Sequence, residues 1–191
     1  MKKLVIVFVL IIASAQVFAQ TTTNQTTYNR PDATDRFRKY LVNTVGPTAL
    51  IAPVISATFR QIKNRPEEWE KTGAGFARRF GDSFGRNLIN QTVTYGLDEA
   101  LKLDSNYYVS KKPNFKSKFS NAVVSTFTAR TPSGKRVIGA PKIIGTYSAS
   151  ILANEVWMPK RFNYKDGLRD GSISMLTRVG FNLIREFFLK K

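Results

Sequence analysis

Gly81-Asp82-Ser83-Phe84-Gly85 fits the Gly-x-Ser-x-Gly pattern that presents a nucleophilic serine in many hydrolases. Such a serine needs a strand before it, a sharp turn at it and a histidine to take its proton. The chain contains no histidine at all, and Ser83 lies inside a stretch with helical periodicity, so the match is read as coincidental and no catalytic residue is assigned.

Other spacings that could carry chemistry are incomplete. The run Thr131–Arg136 holds the Ser-Gly-Lys of a phosphate loop, but Ala129 stands where its first glycine belongs and Arg136 where a magnesium-holding hydroxyl belongs. It reads as an exposed basic turn. Asp166 and Asp170 lack the alternating oxygen ligands of a calcium loop, and a cap and a helix-start charge account for both. With neither cysteine nor histidine, only oxygen ligation is left for a metal, and neither metal nor cofactor is assigned. A hydrolase built on two carboxylates stays as a lesser alternative, with no spacing that singles out a pair.

Between Gly73 and Val93 the chain repeats every fourth residue. Gly73, Ala77, Gly81 and Gly85 form one stripe, and Phe76, Phe80, Phe84 and Leu88 form its neighbour. An interior glycine costs a helix about 1 kcal/mol against alanine. The glycine stripe is therefore expected to pack against a close helix partner, within the fold or in a homo-oligomer. Arg78, Arg79, Asp82 and Arg86 fall on the remaining face, read as solvated. Gly145, Ser148, Ala149, Gly171 and Gly180 extend the small-residue style of packing to two later segments.

The elements that carry these stripes are helical. Short loops bearing Pro, Asn, Asp or Gly separate segments with apolar residues at helical spacing. A short amphipathic turn at 37–44 precedes a helix at 46–63 that starts at Pro47, with Pro53 as a kink. A helix opened by Pro66 and acidic in its first turns runs to about Leu103. Others follow at 115–130, at 139–158 and after Asp166, the expected cap. The fold class is all-α, a compact bundle of about five helices. The alternative is α+β, with a hairpin at 122–152 around the Thr-Pro-Ser-Gly-Lys turn.

Residues 1–19, with Lys2 and Lys3 before an apolar run at 4–15 and small residues Val17 and Ala19, read as a secretory signal peptide. Removing them leaves 172 residues with 28 basic and 13 acidic side chains, a net charge of +15. Residues 20–36 are mostly polar and read as a flexible leader, and 37–191 as a single helical domain. Without cysteine an exported chain is stabilised by its packing alone. The expected location is the periplasm or outer envelope of a bacterium.

So strong a positive charge predicts attraction to an anionic membrane surface or envelope polymer, with nucleic acid disfavoured. Basic residues cluster with aromatic ones at 107–119 and 157–165. The candidate contact residues are Lys111, Lys112, Lys116 and Lys118, Lys135 and Arg136 of the basic turn, and Trp157, Lys160 and Arg161. At the C-terminus Phe181, Ile184, Phe187 and Phe188 oppose Arg178, Arg185, Lys190 and Lys191, the pattern of an interfacial helix or of the last helix of a bundle. No charged residue occurs between Tyr40 and Arg60. That segment belongs to the core or to lipid, and core is the preferred reading.

As a set, Val-Gly-Pro-Thr-Ala-Leu (45–50), Pro-Glu-Glu-Trp (66–69), Gly75–Asn87, Ser125–Thr131 and Arg185–Phe188 resemble a widespread family of small exported bacterial proteins of unknown function. The resemblance implies export and a single domain from about residue 37, and no activity. The function expected is binding or interaction at a membrane surface. An integral or pore-like assembly, with 41–59 and 139–158 against lipid, is the alternative.

Overall fold

The computed structural model describes residues 28–188. The signal peptide, the leader up to residue 27, and Lys190 and Lys191 lie outside the described residues. The fold is a helical bundle. Helices α1 (Ala33–Val45), α2 (Pro47–Ile62), α3 (Gly73–Ala100) and α4 (Phe115–Phe127) lead into strands β1 (Thr128–Arg130) and β2 (Arg136–Ile138), and α5 (Ala140–Val156) and α6 (Tyr164–Phe187) complete it.

Local sequence accounts for most boundaries. Asp32 caps α1, accepting from the backbone N–H of Asp35 at 2.8 Å, and Pro47 sits at the start of α2. Asn163, rather than Asp166, caps α6; the Asp166 carboxylate closes a capping box by accepting from the Asn163 N–H at 3.1 Å. Pro66 opens only a 3-10 turn, Glu67–Trp69, and α3 starts later, with Thr72 as cap. The delay has a physical cause. Trp69 is buried, and the carbonyls of Arg65, Pro66 and Glu70 turn back to bond the Arg79 guanidinium instead of feeding a helix.

The alternative hairpin exists in miniature. Helix α4 stops at Phe127, and Thr128–Arg130 pairs antiparallel with Arg136–Ile138, while Arg130 also exchanges both backbone hydrogen bonds with Asp104. Gly134 takes φ 81° in the turn, a conformation that favours glycine.

The leader is shorter than expected. Tyr28 donates to the Asp104 carboxylate, Arg30 donates to the carbonyls of Leu103 and Asp98, and Arg36 pairs with Glu99. Residues 28–36 are thus bound along the end of α3.

The helices pack in succession: α1 and α2 on α3, α3 on α5, α5 on α6, and α6 on α4. Such a series closes no central apolar core, and its seams are filled by small and polar groups. Among the described residues the buried apolar side chains are Ala57 and four further alanines, Met175, and Trp69, whose edge stays 8% exposed. Among the described residues no Leu, Ile, Val or Phe is fully buried. Gly145 meets Asn90 and Thr94 of α3, Gly167 meets Ile151, and Gly171 meets the Tyr147 ring, so the expected close packing holds at Gly145 and Gly171. At Gly180 a Cβ would meet nothing within 4 Å.

The uncharged segment 41–59 is not core. Ile51, Ile55 and Phe59 are 56%, 51% and 60% exposed, and the same helices turn Thr44, Ala57 and Arg60 toward α3. Segment 139–158 behaves differently: α5 is the central helix, burying Thr146, Ala149, Ser150 and Ala153. Lys142, at its start, is buried with Nζ on the carbonyls of Ser125 and Thr128 at 2.6 and 2.9 Å. Burial, with Arg178 nearby, pushes its pKa down to about 7. Burial likewise brings Arg178, expected on the outer polar face of α6, down to about 10.

Candidate binding cleft

Three residues of the Gly81–Gly85 segment line a cleft, and Ser83 is not one of them. A surface cleft of about 480 Å³ lies between α3, the 3-10 turn and the α5–α6 loop, lined by Trp69, Arg78, Gly81, Asp82, Gly85 and Trp157. Helical spacing puts Arg78, Gly81, Asp82 and Gly85 on adjoining turns of α3. Trp157 arrives at the C-terminal end of α5, and Trp69 from the 3-10 turn. Ser83 points elsewhere, its hydroxyl donating to that of Ser56 at 3.0 Å in the α2–α3 seam.

Asp82 organises one wall. Its carboxylate is 2% exposed, not solvated as the sequence reading had it, and accepts from Arg60, from Arg86 Nε at 2.9 Å and from Trp157 Nε1 at 2.8 Å. Burial alone would raise its pKa; the guanidiniums of Arg86 and Arg60, with the hydrogen bonds from Arg60 and Trp157, hold it below the ordinary value instead. Arg86 extends the network, donating to Asn154 Oδ1 at 2.6 Å and to Asp170 Oδ2 at 3.3 Å, and so ties α3 to α5 and α6.

Both indoles are held in place. Trp157 is anchored through Asp82 and lies over Gly85, where a Cβ would stand 3.5 Å from the ring. The Arg60 guanidinium sits 5.7 Å from the centre of the Trp69 ring. Arg161 spans Glu67 and Glu68 at 3.2 and 2.8 Å, joining the α5–α6 loop to the 3-10 turn.

The glycine stripe is not a helix seam within the chain. At Gly73 and Gly81 an added Cβ meets nothing within 4 Å, Ala77 is exposed, and only Gly85 faces a neighbour, Trp157. Side chains of the adjoining network fill the α2–α3 seam instead. Arg79, fully buried, makes five hydrogen bonds to the 61–70 segment.

The basic contact residues divide between opposite ends of α5. Trp157, Lys160 and Arg161 follow its C-terminus, and of these Trp157 lines the cleft and Arg161 braces it. Lys111, Lys112 and Lys116 are exposed around the start of α4, and Lys118 lies 5.7 Å over the Phe187 ring. Lys135 is exposed on the hairpin turn, but Arg136 is not a free contact: it donates to Asn121 Oδ1, and burial lowers its pKa.

A two-acid site is not assembled in the cleft, where Asp82 is the one carboxylate. Asp98 and Asp104 lie near each other at the far end of α3, but both are held by internal donors. Asp98 accepts from Ser105 N and Oγ at 3.0 and 2.8 Å, and Asp104 accepts from Tyr28, Tyr108 and Asn106. Among the described residues no group of three or more carboxylates could hold a metal ion.

Trp69 and the buried pairings of Arg60, Arg79 and Asp82 were missed from sequence. The visible signal was the Asp82–Arg86 spacing of four, which suits a buried seam as well as a wet face. Comparison of the chain with protein-family models, curated proteins and solved structures gives no match.

Proposed function

We propose that this is an exported envelope protein that works by binding, seated on an anionic membrane with the outer apolar face of α1–α2 in the lipid interface. The observation that carries this reading is the direction of that face. Residues 33–62 form a 30-residue stretch with mean hydropathy 1.4 in its best window, and only 18% of that window is buried. A core helix of a soluble protein would be mostly covered.

The charge pattern supports lipid as the covering. Arg38 and Lys39 lie at one end of the uncharged run, and Lys63 and Arg65 at the other, positions that suit headgroup phosphates while the run meets acyl chains. The opposite side of α2 carries the Arg60–Asp82 pair and the Ser56–Ser83 contact, which favours a helix lying in the interface over one surrounded by lipid. At the other end of the succession Phe181, Ile184 and Phe188 of the α6 terminus are also exposed, a second apolar edge beside Lys111, Lys112 and Lys116.

Fractionation tests the reading. The mature chain, expressed with its leader, is expected in the membrane fraction, resisting a high-salt wash and leaving in carbonate. Release by salt alone would reduce the attachment to charge. Retention through carbonate would replace the interfacial seat with an integral one, and full recovery as a soluble oligomer would assign the apolar face to a second copy.

A further inference from the structure

We infer that the cleft between Trp69 and Trp157 binds a pyranose ring carrying a negative charge, a carboxylate or a phosphate, from an acidic envelope polysaccharide or a glycolipid. The inference deepens the proposed function and rests on the envelope location it assumes. Its observations are separate from the apolar face of α1–α2.

Three features of the cleft point to this ligand. Trp157, 37% exposed and held by Asp82, offers a fixed apolar surface, and the C–H face of a sugar ring stacks on such a surface with little ordering cost; Trp69, 8% exposed and fixed beside Arg60, closes the opposite wall with its edge. The floor between them is backbone. At Gly81 nothing in the chain occupies the space a Cβ would enter, so a ring can approach the helix closely. Finally, Arg78 is exposed at the rim and makes no ion pair among the described residues, whereas Arg60 and Arg86 are committed to Asp82. A guanidinium with free donors suits a carboxylate or phosphate in two-point contact.

A flat nucleobase would also stack, but its edge requires fixed donors and acceptors. The one acceptor in the cleft, Asp82, is already filled by Arg60, Arg86 and Trp157. A sugar keeps its outer hydroxyls in water, which an open cleft permits.

The chain offers a direct readout because its two tryptophans both line the cleft. The mature protein is titrated with tetragalacturonate, glucose 1-phosphate and neutral cellotetraose, at about 0.15 M salt to screen long-range attraction, while tryptophan emission is followed. A saturable change is expected with one or both acidic sugars, at least tenfold tighter than with cellotetraose. Preference for the tetramer indicates an acidic polymer, and preference for the phosphate a glycolipid headgroup.

Arg78→Ala should abolish the preference for acid, and Gly81→Leu, which fills the floor, should weaken binding at least tenfold. Because the space at Gly81 is open and leucine is the better helix former, the Gly81→Leu chain should keep or raise its melting temperature, separating loss of binding from loss of fold. No emission change with any sugar, equal binding of cellotetraose, or unaltered binding by Gly81→Leu would each overturn the assignment. All of these are read in solution without lipid, so failure here leaves the membrane seat standing, and loss of the membrane seat leaves these titrations interpretable.

Discussion

Replacing Arg79 by leucine is expected to destabilise the protein by about 3–5 kcal/mol, because it strands several buried hydrogen-bond acceptors at once. Arg79 is fully buried and has no carboxylate partner. Its charge is instead met by five acceptors: the carbonyls of Arg65, Pro66 and Glu70, and the side chains of Gln61 and Asn64. Leucine removes every donor and leaves main-chain carbonyls unpaired, at about 1–3 kcal/mol for each that water does not reach.

Those acceptors shape the loop before α3, where Asn64 and Glu70 have φ of 49° and 50°, an unfavourable conformation for residues with a Cβ. Arg79→Lys is expected to recover less than half of the loss, since three donors on one nitrogen cannot serve acceptors spread around a planar fork. Urea unfolding followed by the emission of Trp69 and Trp157 measures both variants. A loss below about 1 kcal/mol for the leucine variant would show that the loop stands without this residue.

The second large effect is expected at Asp82. Asp82→Asn keeps the shape but removes the charge that Arg60 and Arg86 share, with an expected loss of about 2–4 kcal/mol at neutral pH. The effect has a pH signature. Since the folded-state pKa of Asp82 lies below the ordinary 3.8, its contribution is complete above that value and is lost as pH falls through and below it. Glu99 and Asp104 are shifted in the same direction, whereas Asp98 is raised by burial and acts oppositely.

The wild-type melting temperature should therefore fall as the solution is taken below about pH 4. The gap between wild type and Asp82→Asn should narrow over the same range. Parallel melting curves for the two proteins down to the most acid point would contradict the assignment of the charge to this network.

Helix positions were largely legible in the sequence because 3.6-residue periodicity and end signals are local. Pro47 marks the start of α2, and Asp166 places the start of α6 to within three residues of its true cap, Asn163, with little help from the rest of the fold. The short strands were visible as an alternative around Gly134, and their pairing depended on Asp104, which lies 26 residues before Arg130.

Sidedness was not legible. Periodicity places Ile51, Ile55 and Phe59 on one face of α2 and Ala57 and Arg60 on another, but it does not say which face meets a neighbour. The usual assumption, apolar inward, inverted the outcome at 41–59, at the glycine stripe and at Arg79 and Asp82. A seam built of glycine, alanine, hydroxyls and paired charges leaves the large apolar groups outside, and the sequence contains both sets at equal spacing.

The seating of α1–α2 in the lipid interface is tested most directly with a single reporter. The chain has no cysteine, so Ile55→Cys accepts one environment-sensitive fluorophore on the outer face of α2, and Glu155→Cys carries the same label on an exposed charged position of α5. With vesicles of phosphatidylglycerol and phosphatidylethanolamine, the label at position 55 is predicted to shift to the blue and to be quenched by brominated acyl chains, while the label at 155 is not. Emission at position 55 that stays unchanged on vesicles, or a shift that appears without lipid as protein concentration rises, would contradict the membrane seat.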